Sequence, residues 1–449
     1  MIGAEGRLLA SLTESNATGV EQRIVELIRS GAIPPGSRLP SVRTIARHLK
    51  ISTGAVAEAW KGLRDAGFIE TRRRGGTFVV TQAPGRSQRL PLGGWMSVDL
   101  AQGTADPALQ PSVREALLAG LKNRNLNDPH KESITEALLD AIKKEWPFPA
   151  QSWSSHGGGT EGALLALEAA APRGSLIALE DPTSPRIVDS LQLLGLQAIG
   201  IPCDTEGPLP ERLQAALKQK PAAFMYQTRA QLPLGHTLTK QRIADLAEVV
   251  RRAPYRLNVV EDDNTGPIAL NPDVSMGRLL PDRVIHIRSY CKTFGIDLHT
   301  SIVAGAADLV ERAQLLRSHN VGMTSRILQD AVAYLLTDEK SQSTLQEARK
   351  RYANRRLALT NVLKTQGSRI NNKDGVVIWL EVPDEQSALI NLAAHGVTVA
   401  PGSRCLVAPA RKQHVRIATS RLPDDPELVA HLGELIAMAV SGKQRPEFD

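Results

Sequence analysis

Ser289 and Lys292 stand in a polar turn directly behind a run of branched residues, Val284, Ile285 and Ile287. That alternation is the pattern of a buried strand, so the amine of Lys292 falls at a strand mouth. Other apolar runs end in equally unusual residues: Glu261-Asp262-Asp263 closes YRLNVVED, and Gly157-Gly158-Gly159 opens a helical stretch. A lone lysine at a strand mouth is ordinarily a solvated surface charge. Gathered with carboxylates and a glycine loop, this one is a candidate Schiff-base lysine, an amine able to hold an aldehyde cofactor covalently. Other chemistries find less support. Cys291 has no activating base near it in sequence and reads as packing. His156, His286 and His299 show no metal-ligand spacing with the cysteines, and no serine sits in a nucleophile elbow, so no metal ligand and no catalytic nucleophile is assigned.

The elements that must position these residues alternate. Apolar runs at 175–181, 197–202, 222–228, 255–262 and 283–289 are separated by helical stretches such as EGALLALEAAA. Strands without polar alternation, split by helices, indicate an α/β fold with a mainly parallel sheet covered on both faces. GVVIWLEV, GVTVAPGS and HVRIATSRL near the end read as a smaller α/β domain.

The first eighty residues differ. They hold 12 Lys/Arg against 7 Asp/Glu, net +5 of the chain's total of +7, a basic head suited to a polyanion. Apolar residues fall at helical spacing in three segments: Val20, Ile24, Leu27 and Ile28; Val42, Ile45, Ala46 and Leu49; Val56, Trp60 and Leu63. Pro34-Pro35-Gly36 separates the first two, and Ser52 is a candidate N-cap for the third. FIETRRRGGTFVV then reads as a hairpin. Helix, helix, turn, helix, hairpin is a winged helix-turn-helix. The expected domains are 1–80 for this head, 81–97 for a Gly-, Pro- and Ser-rich linker, and 98–449 for an effector and dimerisation body. Within the body, a large part spans about 145–320 and a small part joins 98–144 with 321–449. Three scattered cysteines, no apolar run approaching ~20 residues and no secretory signal imply a cytoplasmic protein away from membranes.

PPGSRLPSVRTIARHLKIS and the run to GFIETRRRGGTFVV resemble the DNA-binding domain of the GntR regulators over about sixty residues. The resemblance implies contacts to double-stranded operator DNA from Arg43, from Ser52 and Thr53 at the start of the third helix, and from the wing residues Arg72, Arg73 and Arg74. A helix N-terminus in the major groove reads base edges, while wing arginines neutralise phosphate or enter the minor groove. Where the family's third helix starts with an arginine and two threonines, this chain has Thr53-Gly54-Ala55, so a different DNA sequence is expected.

The body resembles the fold type I aminotransferases that use pyridoxal phosphate, over about 350 residues. The landmarks DLAQGTADP, HGGGTEGALLAL, EDPTSP, YQTRAQLPLG, EDD, RSYCK, APGSR and HVRIATSRL follow in the family's order. Head and body together resemble a MocR-type transcription regulator. The resemblance implies cofactor contacts from Lys292 (covalent anchor), Asp262 (pyridine nitrogen), and Gly158, Gly159, Thr160 and Ser289 (phosphate). Arg416 falls where an arginine grips an amino acid's carboxylate, a task suited to its planar fork. Departures are several: His299 replaces the phosphate arginine, Leu232 the asparagine at the ring hydroxyl, and Asn264 or Thr265 a tyrosine. Ser184 replaces the stacking aromatic, and Leu126 the partner subunit's tyrosine. At roughly 1–3 kcal/mol for each charged or aromatic contact, these cost several kcal/mol of cofactor binding. The implied protein is a homodimeric regulator, not an enzyme, whose degenerate body senses pyridoxal phosphate, an amine, an amino acid or vitamin B6. The alternatives are a body that only dimerises or takes another ligand, and a working aminotransferase.

Overall fold

The computed structural model describes residues 9, 12, 16–29, 33, 36–65, 69–72, 76–79, 98–130, 132–318 and 322–441, in two compact units, Met1–Arg89 and Leu90–Asp449. The expected linker 81–97 lies outside the described residues, as do Arg73 and Arg74.

In the first unit, α1 (Ala17–Arg29), α2 (Val42–Leu49) and α3 (Thr53–Asp65) enclose a core of Val20, Ile24, Ile45, Val56, Trp60 and Leu63. Ser41 Oγ caps α2 by accepting Thr44 N–H (3.1 Å), and Ser52 Oγ caps α3 by accepting Ala55 N–H (3.1 Å). The wing strands β2 (Ile69–Arg72) and β3 (Gly76–Val79) are antiparallel, and the two-residue β1 (Arg38–Leu39) pairs with β3 as a third strand that apolar spacing did not reveal.

The second unit begins with β4 (Val98–Leu100), followed by α4 (Val113–Gly120), α5 (Glu136–Ile142) and the first strand of the large sheet, β5 (Ser152–His156). Then come α6 (Gly158–Ala170), β6 (Leu176–Asp181), α7 (Pro185–Leu193), β7 (Gln197–Asp204), β8 (Gly207–Pro208) and α8 (Pro210–Ala216). β9 (Ala223–Gln227), α9 (Lys240–Arg251), β10 (Asn258–Asp263), β11 (Val284–Ser289), α10 (Cys291–Phe294) and β12 (Ser301–Gly305) complete the sheet region. Its eight strands run in the order β5-β12-β11-β10-β9-β6-β7-β8. β11, β10, β9, β6 and β7 are parallel, β12 runs against both its neighbours, and β8 runs against β7. One face carries Ile177, Val260 and Ile287 against Ala166 of α6 and Leu191 of α7; the other carries Ala178, Phe224 and Val259 against Leu213 of α8 and Leu246 of α9.

α11 (Ala307–Ser318), α12 (Arg326–Thr337) and the long α13 (Glu339–Thr365) lead into a four-stranded sheet of order β13-β15-β14-β4. Its later elements are β13 (Val377–Val382), α14 (Glu385–Ala394), β14 (Val397–Pro401), β15 (Gln413–Ala418) and α15 (Pro426–Ser441). The division of the body differs from the expected one. Ala116 of α4, Leu138 and Ile142 of α5, and Ala331 and Val332 of α12 belong to the apolar cluster of the large sheet. Of the stretch 98–144, only β4 pairs with the small sheet, so helices assigned by chain position to the small part are claimed by the larger apolar face. Among the described residues, no helix is long and apolar enough to cross a membrane.

Candidate functional site

Parallel sheets present their ligands at the carboxyl ends of the strands, and here those ends hold Asp181, Gln227, Asp262, Asp263 and Ser289. β5 runs with β11, and the register sets Ser289, Ser301 and His156 in one row, which brings the glycine loop after His156 beside the turn after Ser289. That turn is fixed by buried rings: Tyr290 and Phe294 stack with centroids 6.0 Å apart, and Tyr290 N–H donates to Thr300 O (3.1 Å).

Lys292 extends from this anchored turn. Its ammonium donates to Asn264 Oδ1 (2.7 Å) and Asn264 O (3.3 Å), just past the end of β10. Asn264, not Thr265, therefore stands at the lysine; Thr265 is buried and donates to Ala230 O. Asp262 is buried, and no hydrogen bond from a described residue reaches its carboxyl group. Burial raises the Asp262 pKa, with the Lys292 charge opposing. Burial likewise lowers that of Lys292, with Asp262 opposing, so its free amine is reached at lower pH than for a solvated lysine.

The glycine loop is a cradle that side chains would fill. Gly158 has φ +77°, and a Cβ there would lie 2.8 Å from His299 Cε1. A Cβ on Gly159 would lie 2.8 Å from Ser289 Cβ and 2.9 Å from its Oγ. Behind the cradle, α6 starts with no side-chain cap, which leaves first-turn N–H groups of the kind that hold phosphate, while Gly157 N–H donates to Glu161 Oε2. Ser301 Oγ donates to Gly158 O (2.8 Å) and fixes the loop. His299 is exposed with φ +30°, its Nδ1 3.9 Å from Cys291 Sγ, a neighbour for the thiol that sequence spacing did not show.

One residue at this mouth escaped the sequence reading. Arg186, in the first turn of α7, donates to Thr160 Oγ1 (3.1 Å). Its charge acts on both Lys292 and Arg416. Arg416, on β15, is held by a bond to Ala101 O (3.0 Å). Among the described residues neither arginine has a carboxylate partner. Arg186 and Arg416 thus act electrostatically with Lys292, and groups of that charge favour an anionic ligand.

Behind β10 and β11 lies a buried polar cluster. Asp263 accepts from Arg229 Nε (3.0 Å) and Nη2 (2.8 Å), from Arg288 Nε (2.8 Å) and from Gly266 N–H (3.0 Å). Arg288 also donates to Asp273 (2.7 Å) and lies 4.8 Å from the centre of the Trp146 ring. His286 bridges Glu261 (2.9 Å) and Asp273 (3.1 Å); Glu261 also accepts from Tyr226 Oη and from Ser275 Oγ. Burial alone would lower the His286 pKa, but the adjacent carboxylates raise it to about 9.

In the head, Arg43 is exposed on α2, and Ser52 and Thr53 are exposed at the N-terminus of α3. Arg38, Arg47 and Lys50 add exposed basic groups nearby in the chain. Arg72 closes β2, where its backbone alone is described.

A winged helix-turn-helix with a basic face, joined to a fold type I aminotransferase-like body, defines the class: a DNA-binding transcription regulator of the MocR type. The chain belongs to the aminotransferase class I and II family, whose model matches residues 97–431, and the bacterial regulatory proteins of the gntR family match residues 16–79. It is 30% identical over 421 residues to the vitamin B6 salvage pathway transcriptional repressor PtsJ of Salmonella typhimurium, covering 91% of this chain and 95% of that one. It is 24% identical to the HTH-type transcriptional regulator TauR of Rhodobacter capsulatus, covering 88% and 90%. Among solved structures, kynurenine aminotransferase of Pyrococcus horikoshii superposes with a TM-score of 0.70 at 20% identity, covering 78% of this chain and 92% of that one. Aspartate aminotransferase of Thermus thermophilus gives a TM-score of 0.65 at 20% identity, covering 76% and 91%.

Proposed function

We propose that this regulator binds its operator as a homodimer and senses pyridoxal phosphate, alone or with an amine or amino acid, through Lys292. The observation that carries the reading is the Lys292 amine held by Asn264 just past β10, whose buried Asp262 carboxyl accepts no hydrogen bond from a described residue, beside a glycine loop packed against Ser289 and His299. These residues fit the cofactor's chemistry. Lys292 would hold its aldehyde carbon, and Asp262 would take a hydrogen bond from its pyridine nitrogen. Gly158, Gly159, Thr160 and Ser289 would face the phosphate, with Arg186 and His299 supplying cationic and hydrogen-bonding groups where the aminotransferase arginine is absent. When bound, pyridoxal phosphate supplies an electrophilic carbon that can exchange one amine for another.

The chain's own groups then do the sensing. Burial frees a larger share of the Lys292 amine near neutral pH than a solvated lysine would offer, Asn264 Oδ1 orients it, and Arg416 offers its fork to a ligand carboxylate. A ligand alters DNA binding only through different affinity for two states of the dimer. Ser184 and Leu232, in place of a stacking ring and a ring-hydroxyl donor, fit a sensor better than a transaminase. A second reading, a body that only dimerises, draws on Asn264 already satisfying the lysine. The relative that represses vitamin B6 salvage supports the first. Incubation with pyridoxal phosphate and borohydride reduction should fix a mass increase on the Lys292 peptide, absent in Lys292→Ala. An unmodified wild-type peptide would favour the scaffold.

A further inference from the structure

Sheet alternation sets Glu180 with Ala178 on the face covered by α9, whereas Asp262 follows Val260 on the face covered by α6. On the α9 face, away from the cofactor residues, three side chains converge. Glu180 at the end of β6 is fully buried, and its Oε1 accepts from Gln227 Nε2 (2.9 Å) and Thr183 Oγ1 (3.4 Å). Among the described residues its Oε2 has no hydrogen-bond partner. His236, in the loop before α9, is 3% exposed, neither ring nitrogen is hydrogen-bonded to a described residue, and Nε2 lies 3.9 Å from Glu180 Oε2. Cys203 on β7 is a free, half-buried thiol whose sulfur makes only a weak contact of 3.6 Å to Ile201 O. One ligand atom from each of the three lies within 4.8 Å of the others.

We propose that Glu180, Cys203 and His236 form a binding site for one divalent transition-metal ion of the zinc class. Carboxylate, thiolate and imidazole are the donors such an ion selects, and in a tetrahedral site they stand about 3.3–3.8 Å apart. Small side-chain movements reach that spacing. The same test of distance is passed by Asp263, Asp273 and His286, and the difference between the two clusters is instructive. There, the guanidinium groups of Arg229 and Arg288 already supply the positive charge at 2.7–2.8 Å. Among the described residues no lysine or arginine pairs with the Glu180 carboxyl, and the nearby Arg242 is spent on Asp204 at 2.8 and 3.0 Å.

Burial pushes the Glu180 carboxyl up to about 8 and the His236 imidazole down to about 4, as expected of polar groups left in the interior with no cation. Uptake of the ion would displace two protons, from Glu180 and Cys203, and leave dication, carboxylate, thiolate and neutral imidazole with no net charge. A water would complete the shell. The ion would tie together the ends of β6 and β7 and the loop before α9.

The test uses the full chain, stripped with a chelator and titrated with Co²⁺. One equivalent per chain is expected, with a thiolate charge-transfer band and tetrahedral d–d bands that Zn²⁺ abolishes. Cys203→Ser and His236→Gln should each weaken binding by more than about 100-fold, beyond the loss seen for mere outer partners. Cys291→Ser, Cys405→Ser and Lys292→Ala should retain it, which separates this site from the cofactor reading. Wild type without a thiolate band, or a band that survives in Cys203→Ser, overturns the proposal. If a variant fails to fold, X-ray absorption of the zinc-loaded wild type decides: one sulfur in the shell is expected, and a sulfur-free shell refutes the site.

Discussion

Asp263→Asn probes the cluster that holds the end of β10 in place. The carboxylate accepts two bonds from Arg229, one from Arg288 and one from the Gly266 backbone, all between 2.8 and 3.0 Å, and it is fully buried. The amide removes the charge and turns one accepting oxygen into a donor facing donors, leaving Arg229 with no anionic partner among the described residues. Breaking a buried pair from one side costs about 3–5 kcal/mol, because the remaining charge stays desolvated. The comparison is Asp189→Asn, which breaks an exposed pair with Arg404 at 2.9 Å and is expected to cost about 0–1 kcal/mol. Urea unfolding followed by near-ultraviolet circular dichroism is the assay. Trp146 makes it local, since its ring lies against Arg288, His286 and Trp153. A loss under about 1 kcal/mol in Asp263→Asn, or equal losses in the two variants, would refute the assignment of that cluster as a structural anchor.

Other outcomes follow from single groups. His286 gains its proton on folding, so its contribution is complete below about pH 6.5 and disappears as pH rises through about 9; the interval corresponds to about 3 kcal/mol. Stability measured from pH 6 to 10 should therefore fall in wild type and change less in His286→Gln. Gly159→Ala places a Cβ 2.8 Å from Ser289 Cβ and should weaken attachment of pyridoxal phosphate at least about tenfold, read by borohydride trapping. Its DNA affinity without cofactor should match wild type. Ser52→Ala removes the cap of α3 and should cost the head about 1 kcal/mol, seen as earlier melting of its helices and weaker operator binding.

Much of this was legible in the chain because the signals were local. β6, β9, β10 and β11 each contain a short apolar stretch that ends in polar residues, and Gly157–Gly159 announced the start of α6. β5 was not legible: Ser152, Ser154, Ser155 and His156 leave little apolar pattern, and the strand is made by pairing with β12. The helical faces of α4, α5 and α12 do not say which sheet will cover them; their residues Ala116, Leu138 and Ala331 lie in the apolar cluster of the large sheet. Lys292 stood out at a strand mouth and the resemblance adds Asp262, Ser289, Gly158 and Gly159; the turn of Lys292 lies past β11, next to the end of β10 and the glycine loop. Arg186 was missed because an arginine after a proline carries no motif; only the fold sets it beside Thr160. Cys203 and His236 are separated along the chain and share no spacing code, so their meeting at Glu180 is a product of strand order alone.

Coupling of DNA binding to pyridoxal phosphate through Lys292 is tested most directly by fluorescence anisotropy on DNA from the protein's own promoter region, titrated with salt, with and without pyridoxal phosphate, for wild type and Lys292→Ala. Salt-sensitive binding is predicted for both proteins, shifted by pyridoxal phosphate in wild type and unmoved in the variant. No binding by wild type, or the same response to pyridoxal phosphate in Lys292→Ala, would contradict it.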